Sequence, residues 1–145
     1  MATTIRLDGL AGLQSALDSL GPEMEAAAER AVNVTGLQLQ EDIKKRYTNT
    51  PQTGKRYKRG GKIHIASSPK NAPAVDTGRL RSSVLFRKAG KMSVVVLSRL
   101  KYAPWLEFGT FDRKIKPRPA WVPAVEAMRP KFIARITAVI AGTYK

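Results

Sequence analysis

From residue 43 to residue 75 the chain carries nine Lys or Arg and no Asp or Glu. The same stretch contains "TNTPQTGKRYKRGGKIHIASSPKNAPAV", rich in Gly, Pro, Ser, Thr and Asn. Such a segment holds little apolar material and many turn-formers, so the packed core has to come from the sequence on either side. A loop this long inside a compact domain is usually functional or disordered. We read residues 47–75 as a long, basic, flexible loop, with Ile63 and Ile65 alternating so that residues 62–66 can form a brief strand.

Ahead of the loop the pattern is helical. Residues 3–7 alternate weakly, as a short strand would. Asp8 offers an N-cap, and Leu10, Leu13, Leu17 and Leu20 follow at helical spacing, predicting a helix over 9–20. Gly21-Pro22 ends it and starts another, with Glu23 and Glu25 at the positive end of its dipole. This second helix is predicted over 22–46. Its inner face is Met24, Ala28, Ala31, Thr35, Leu39 and Ile43, a stripe of mostly small residues that allows close packing. Lys44, Lys45 and Arg46 suit its negative end.

Behind the loop the pattern turns to strands. Residues 80–88 read as a strand with Val84 and Phe86 on one face, Ala89-Gly90 as a turn, and residues 91–98 as its hairpin partner. The apolar centre "SVVVL" suits a central strand covered on both faces. Residues 102–106 read as a helical turn, and residues 111–118 as a basic loop or short strand. A last helix is predicted over 119–141, with Trp121, Val125, Met128, Phe132, Ile136 and Val139 inward and a kink at Pro130. The fold class is α+β: one small antiparallel sheet packed by a long helix from the N-terminal half and by a C-terminal helix. At 145 residues the chain is the size of one domain, and residues 1–145 are taken as one.

Charge narrows the function. Twenty-six Lys and Arg against eleven Asp and Glu leave a net +15. Nucleic acid, acidic membranes and acidic proteins all attract such a chain. There is no cysteine, so disulfides and Cys-based zinc sites are excluded and an intracellular origin is favoured. The first residues do not resemble a signal peptide, and no apolar run is long enough to span a bilayer.

Catalytic and metal chemistry find little support. His64 is the single histidine and reads as a solvated loop residue. Asp76 and Glu107 could in principle hold magnesium, but no spacing favours that over ion pairs with Arg79, Arg81 and Arg118. Gly60-Gly61-Lys62 lacks the spacing of a phosphate-binding loop. No catalytic residue, metal ligand or cofactor is expected. Lys55, Arg56, Lys58, Arg59 and Lys62 surround Tyr57, which suits an arm meeting either DNA or an acidic protein partner. Nothing there resembles a sequence-specific reader.

Three stretches carry a resemblance. They are "NAPAVDTGRLRSSV" at 71–84, "YAPWLEFGT" at 102–110 and "KPRPAWVPAVEA" at 116–127. In this order they are similar to the gp-ten-like family of neck and tail-completion (head–tail connector) proteins of long-tailed bacteriophages and prophages, over nearly the whole chain. The resemblance implies a virion structural protein, not an enzyme, located in the neck or tail and assembled in the host cytoplasm. It implies copies in a ring, hexameric by the family's habit, that complete the tail or join it to the head. Neighbouring connector, tail-tube or tape-measure proteins would be its partners, and genome DNA a further one through the basic loop. Candidate interface residues are Tyr102, Trp105, Glu107, Phe108, Arg79, Arg81 and Arg118. Trp121 reads as core, while Trp105 is open between core and interface. A nucleic-acid-binding module and a metal-free, toxin-type ribonuclease are the competing readings, but neither explains the Gly-Thr and Pro-rich motifs.

Overall fold

The computed structural model describes residues 3–6, 21–112 and 114–144. Its elements, in chain order, are β1 (Thr3–Arg6), α1 (Pro22–Asn49), β2 (Arg56–Arg59), β3 (Lys62–Ile65), α2 (Arg79–Ser82), β4 (Val84–Gly90), β5 (Ser93–Ser98), α3 (Ala103–Phe108) and α4 (Trp121–Ile140). The fold is α+β, as expected. The helix predicted over 9–20, with its Asp8 cap, lies outside the described residues.

One sheet has three antiparallel strands in the order β1-β5-β4, so β5 is central. Burial along β5 alternates, with Val94, Val96 and Ser98 buried and their neighbours half-covered. Its two faces are therefore unequal, and only one of them belongs to the main core. The alternation agrees with the period-two geometry of a strand.

Helix α1 is the spine. It extends about one turn further than predicted, because Tyr47 continues the inward series Thr35, Leu39, Ile43 at four-residue spacing. The small-residue stripe works as expected. Ala28 and Ala31 are fully buried. At Gly36 a Cβ would stand 2.7 Å from both the Phe86 ring and Val94 Cγ2, so the helix backbone lies directly on the sheet. Helix α1 also packs along α4. Leu39, Ile43, Tyr47, Val84, Val96, Trp121, Ala124 and Met128 form the larger core cluster. Ala27, Ala28, Ala31, Met92 and Val139 form a second one toward the start of α1.

Two expectations change here. Residues 80–83 are not strand: α2 makes one helical turn first, held by the Ser83 amide and hydroxyl donating to the Leu80 carbonyl. Strand β4 then runs through Ala89-Gly90, and the hairpin turns at Lys91-Met92. The basic segment, in turn, is not structureless. Strands β2 and β3 form an antiparallel hairpin that turns at Gly60-Gly61. Its base is closed by Gly54 N–H donating to Ala66 O at 2.7 Å and Ala66 N–H to Lys55 O at 3.0 Å. Helix α4 continues unbroken through Pro130. No helix among the described residues is long and apolar enough to cross a membrane.

Candidate functional site

Glu107 organises the region that follows the hairpin β4–β5. It sits on α3, only 4 % exposed, and points at the N-terminus of α4. Its carboxylate accepts from the backbone N–H groups of Ala120 at 2.8 Å, Trp121 at 3.0 and 3.1 Å, and Val122 at 2.8 Å. The first N–H groups of a helix have no partner within it, and the dipole favours a negative charge there. Ala120 itself carries no capping side chain, so Glu107 caps the helix from a distance in sequence. Glu107 is thus not an arginine partner, and its carboxylate is unavailable as an interface contact. The one signal in the sequence was the Pro-rich start of α4, which offers no capping side chain of its own.

Gly109 makes this placement possible. Its φ of 79° and ψ of −178° lie in a region essentially restricted to glycine. A Cβ there would also stand 2.8 Å from the Ile115 carbonyl oxygen. The chain then folds back on α3 through Thr110 N–H to Ile115 O at 3.1 Å and Arg118 N–H to Leu106 O at 2.7 Å. Inside the loop Asp112 accepts from the Thr110 hydroxyl at 2.5 Å and pairs with Lys114. These contacts, the hydroxyl first, hold its carboxyl below the ordinary range.

With Glu107 turned inward, its neighbours point out. Trp105 is 52 % exposed and Phe108 65 %, and Phe111 is fully exposed. Trp105 therefore does not seat the turn against the core; it stands on the surface. The core role belongs to Trp121, as expected. Its indole N–H donates to the Tyr47 hydroxyl at 2.8 Å, a pair the sequence reading missed. Burial raises the Tyr47 phenol above its ordinary pKa.

On the other side of α3 lies a cleft of about 710 Å³. The hairpin contributes Lys55, Tyr57, Arg59 and Ile65, and helix α2 contributes Arg79, Leu80 and Arg81. Tyr102 and Leu106 come from α3 and its start, and Lys114, Ile115 and Arg118 from the loop. Two groups predicted separately, the basic arm and the arginines of the interface list, thus meet in one place. Strand alternation decides which arm residues do so. Tyr57 and Arg59 line the cleft, whereas Arg56, Lys58 and Lys62 do not and are exposed.

Asp76 ties the hairpin down. The ion pairs expected for it with Arg79, Arg81 or Arg118 do not form among the described residues. Instead its carboxylate meets His64 Nδ1 at 2.5 Å, Arg59 at 3.2 Å and the Tyr57 hydroxyl at 3.3 Å. His64 stacks on Tyr57 with ring centroids 5.5 Å apart, so it is a structural residue of the hairpin rather than a solvated one. Burial, followed by the nearby Asp76 charge, raises the Tyr57 phenol. His64 is not among the residues lining the cleft. Among the described residues no group of His, Asp and Glu is placed to hold a metal ion.

Comparison with known proteins bears on the family. No curated protein and no solved structure matches the chain. The matching family model is that of the HK97-gp10-like bacteriophage tail components, over residues 11–109. That range includes α1, the basic hairpin, the sheet strands β4 and β5, and α3 up to Gly109. The Pro-rich stretch and α4 lie beyond it. With more than half of its length matched, including the first motif and all of the second but Thr110, the chain belongs to the HK97-gp10-like family of bacteriophage tail components.

Proposed function

We propose that this tail component works as a ring of identical copies, hexameric in the assembled virion, that completes the tail or joins it to the head. The observation that carries this is the outward face of α3. Trp105 and Phe108 are large, exposed anchors on a helix held rigid by the Glu107 cap, and Phe111 extends the face. Aromatic side chains on a preorganised support dominate protein interfaces. The role is structural and non-enzymatic, with assembly in the host cytoplasm. The Glu107 carboxylate is occupied by α4 and His64 is engaged with Asp76, which supports the non-enzymatic reading.

Native mass spectrometry and electron microscopy, with and without tails, test this. The protein should form closed rings or add to tails as rings. Phe108→Asp should remain folded by circular dichroism but fail to close them. A chain that stays monomeric and never joins a tail would sink the proposal.

A second reading has its own observation. Arg56, Lys58 and Lys62 are exposed and point away from the cleft. They suit contact with genome DNA, which would weaken steeply as salt rises.

A further inference from the structure

Four cations around the cleft lack an answering carboxylate among the described residues. Lys55 and Arg79 form none of the ion pairs found there. Arg81 donates to the Thr48 hydroxyl at 3.4 Å and Arg118 to the Ser67 carbonyl at 3.2 Å, both neutral. Alongside these cations the lining is largely apolar, with Pro73, Val75, Leu80, Leu106 and Ile115. From this juxtaposition we propose that the cleft docks an acidic peptide segment of another protein, with an aliphatic or aromatic side chain set between its carboxylates.

The cleft already shows how it treats a carboxylate. Asp76 is the one acidic residue in its lining, and Tyr57 and Arg59 both donate to it. A volume of about 710 Å³ falls in the range of pockets that enclose several side-chain-sized groups. The apolar floor would be wasted on a phosphate backbone, whereas a peptide can fill it. Ser67 also lines the cleft, and its buried hydroxyl has no hydrogen-bond partner among the described residues.

A second copy of the chain is a poor occupant. At net charge +15 a second copy brings mainly cations to this cationic cleft, so contact between copies belongs to the aromatic face of α3 rather than here. Glu25, Glu29, Glu41 and Asp42, on α1, are moreover already paired with Lys91, Lys88, Lys45 and Arg46. An acidic partner would answer the cations of the cleft as well as fill it. That the partner is a neighbouring virion protein rests on the proposed function; the recognition chemistry does not.

The test uses the full chain carrying Phe108→Asp, so that ring formation does not enter the result. A fluorescein-labelled peptide of repeating Glu-Glu-Leu is titrated by fluorescence polarisation at physiological salt. Arg79→Glu with Arg81→Glu should weaken binding about tenfold or more, since attraction becomes repulsion at two sites. Arg129→Glu with Lys131→Glu makes the same change in net charge on exposed positions of α4, and should alter binding less than about twofold. Replacing Leu by Ser in the peptide should weaken it clearly. Equal loss in both double variants, or indifference to the Leu→Ser change, would overturn the proposal by showing attraction to net charge alone. An oligothymidylate that binds more tightly and displaces the peptide would overturn it in favour of nucleic acid.

Discussion

Glu107 brings a negative charge into the interior, where only the start of α4 can stabilise it. Three backbone N–H groups converge on it. Glu107→Ala leaves those donors buried and unpaired, and should cost about 3 kcal/mol in urea unfolding. Glu107→Gln should cost less, because one amide oxygen can still accept. Tyr47 is the other buried ionisable group with a predictable effect. Its folded pKa is raised above the unfolded value of 10.0, so the stability linked to its neutral form is fully present below pH 10 and is lost as pH rises beyond it. Tyr47→Phe should lower stability at neutral pH, by losing the bond to Trp121, while making the decline above pH 10 shallower. Unfolding free energies measured across that range check both signs.

At the scale of elements, α1 decides how the layers meet. Gly36→Ala places a methyl group into the Phe86 ring and Val94. Overpacking of this kind costs about 1–3 kcal/mol, partly offset by about 1 kcal/mol of helix propensity. A net loss of about 1 kcal/mol in chemical unfolding is expected, with part of it recovered when Phe86→Leu makes room. The packing of α1 was legible because its inward residues recur at helical spacing. Tyr47 could have been added to them by extending the series one turn further. Helix α2 was not legible. Leu80 looks continuous with Val84 and Phe86 of the strand, and the bonds of Ser82 N–H to Gly78 O and of Ser83 N–H to Arg79 O and Leu80 O reveal the turn. The cross-link between helices by Arg135, to Thr35 at 3.0 Å and Gln38 at 2.5 Å, was equally invisible, since it joins residues about a hundred positions apart.

At the scale of the molecule, the basic hairpin stands on the core without belonging to it. All four β2 residues are exposed, and its base is tied off at Gly54–Ala66. Replacing residues 56–65 by a Gly-Gly turn should therefore leave the thermal midpoint within a few degrees, because little apolar surface is lost. It should also remove one wall of the cleft and impair tail assembly, scored by complementation of defective tails. A large fall in midpoint would show instead that the hairpin supports the core. The clustering of charge could be seen in the sequence, but the wall of a shared cleft could not. Lys55, Arg79 and Arg118 are distant along the chain, and each alone reads as a solvated surface charge.

By itself the sequence determined what depends on near neighbours: the long helix and its small inner face, the hairpin of β4 and β5, the core place of Trp121, and the ordered motifs of a phage tail component. These follow from periodicity and local chemistry, which act over a few residues. Only the tertiary structure decided where the lone carboxylates went. Asp76 and Glu107 had several cations to choose from, and the choice depended on distances between segments far apart in the chain. In "YAPWLEFGT" that choice turned Glu107 inward to α4. The short helix then had only its opposite face to give Trp105 and Phe108, and they became surface.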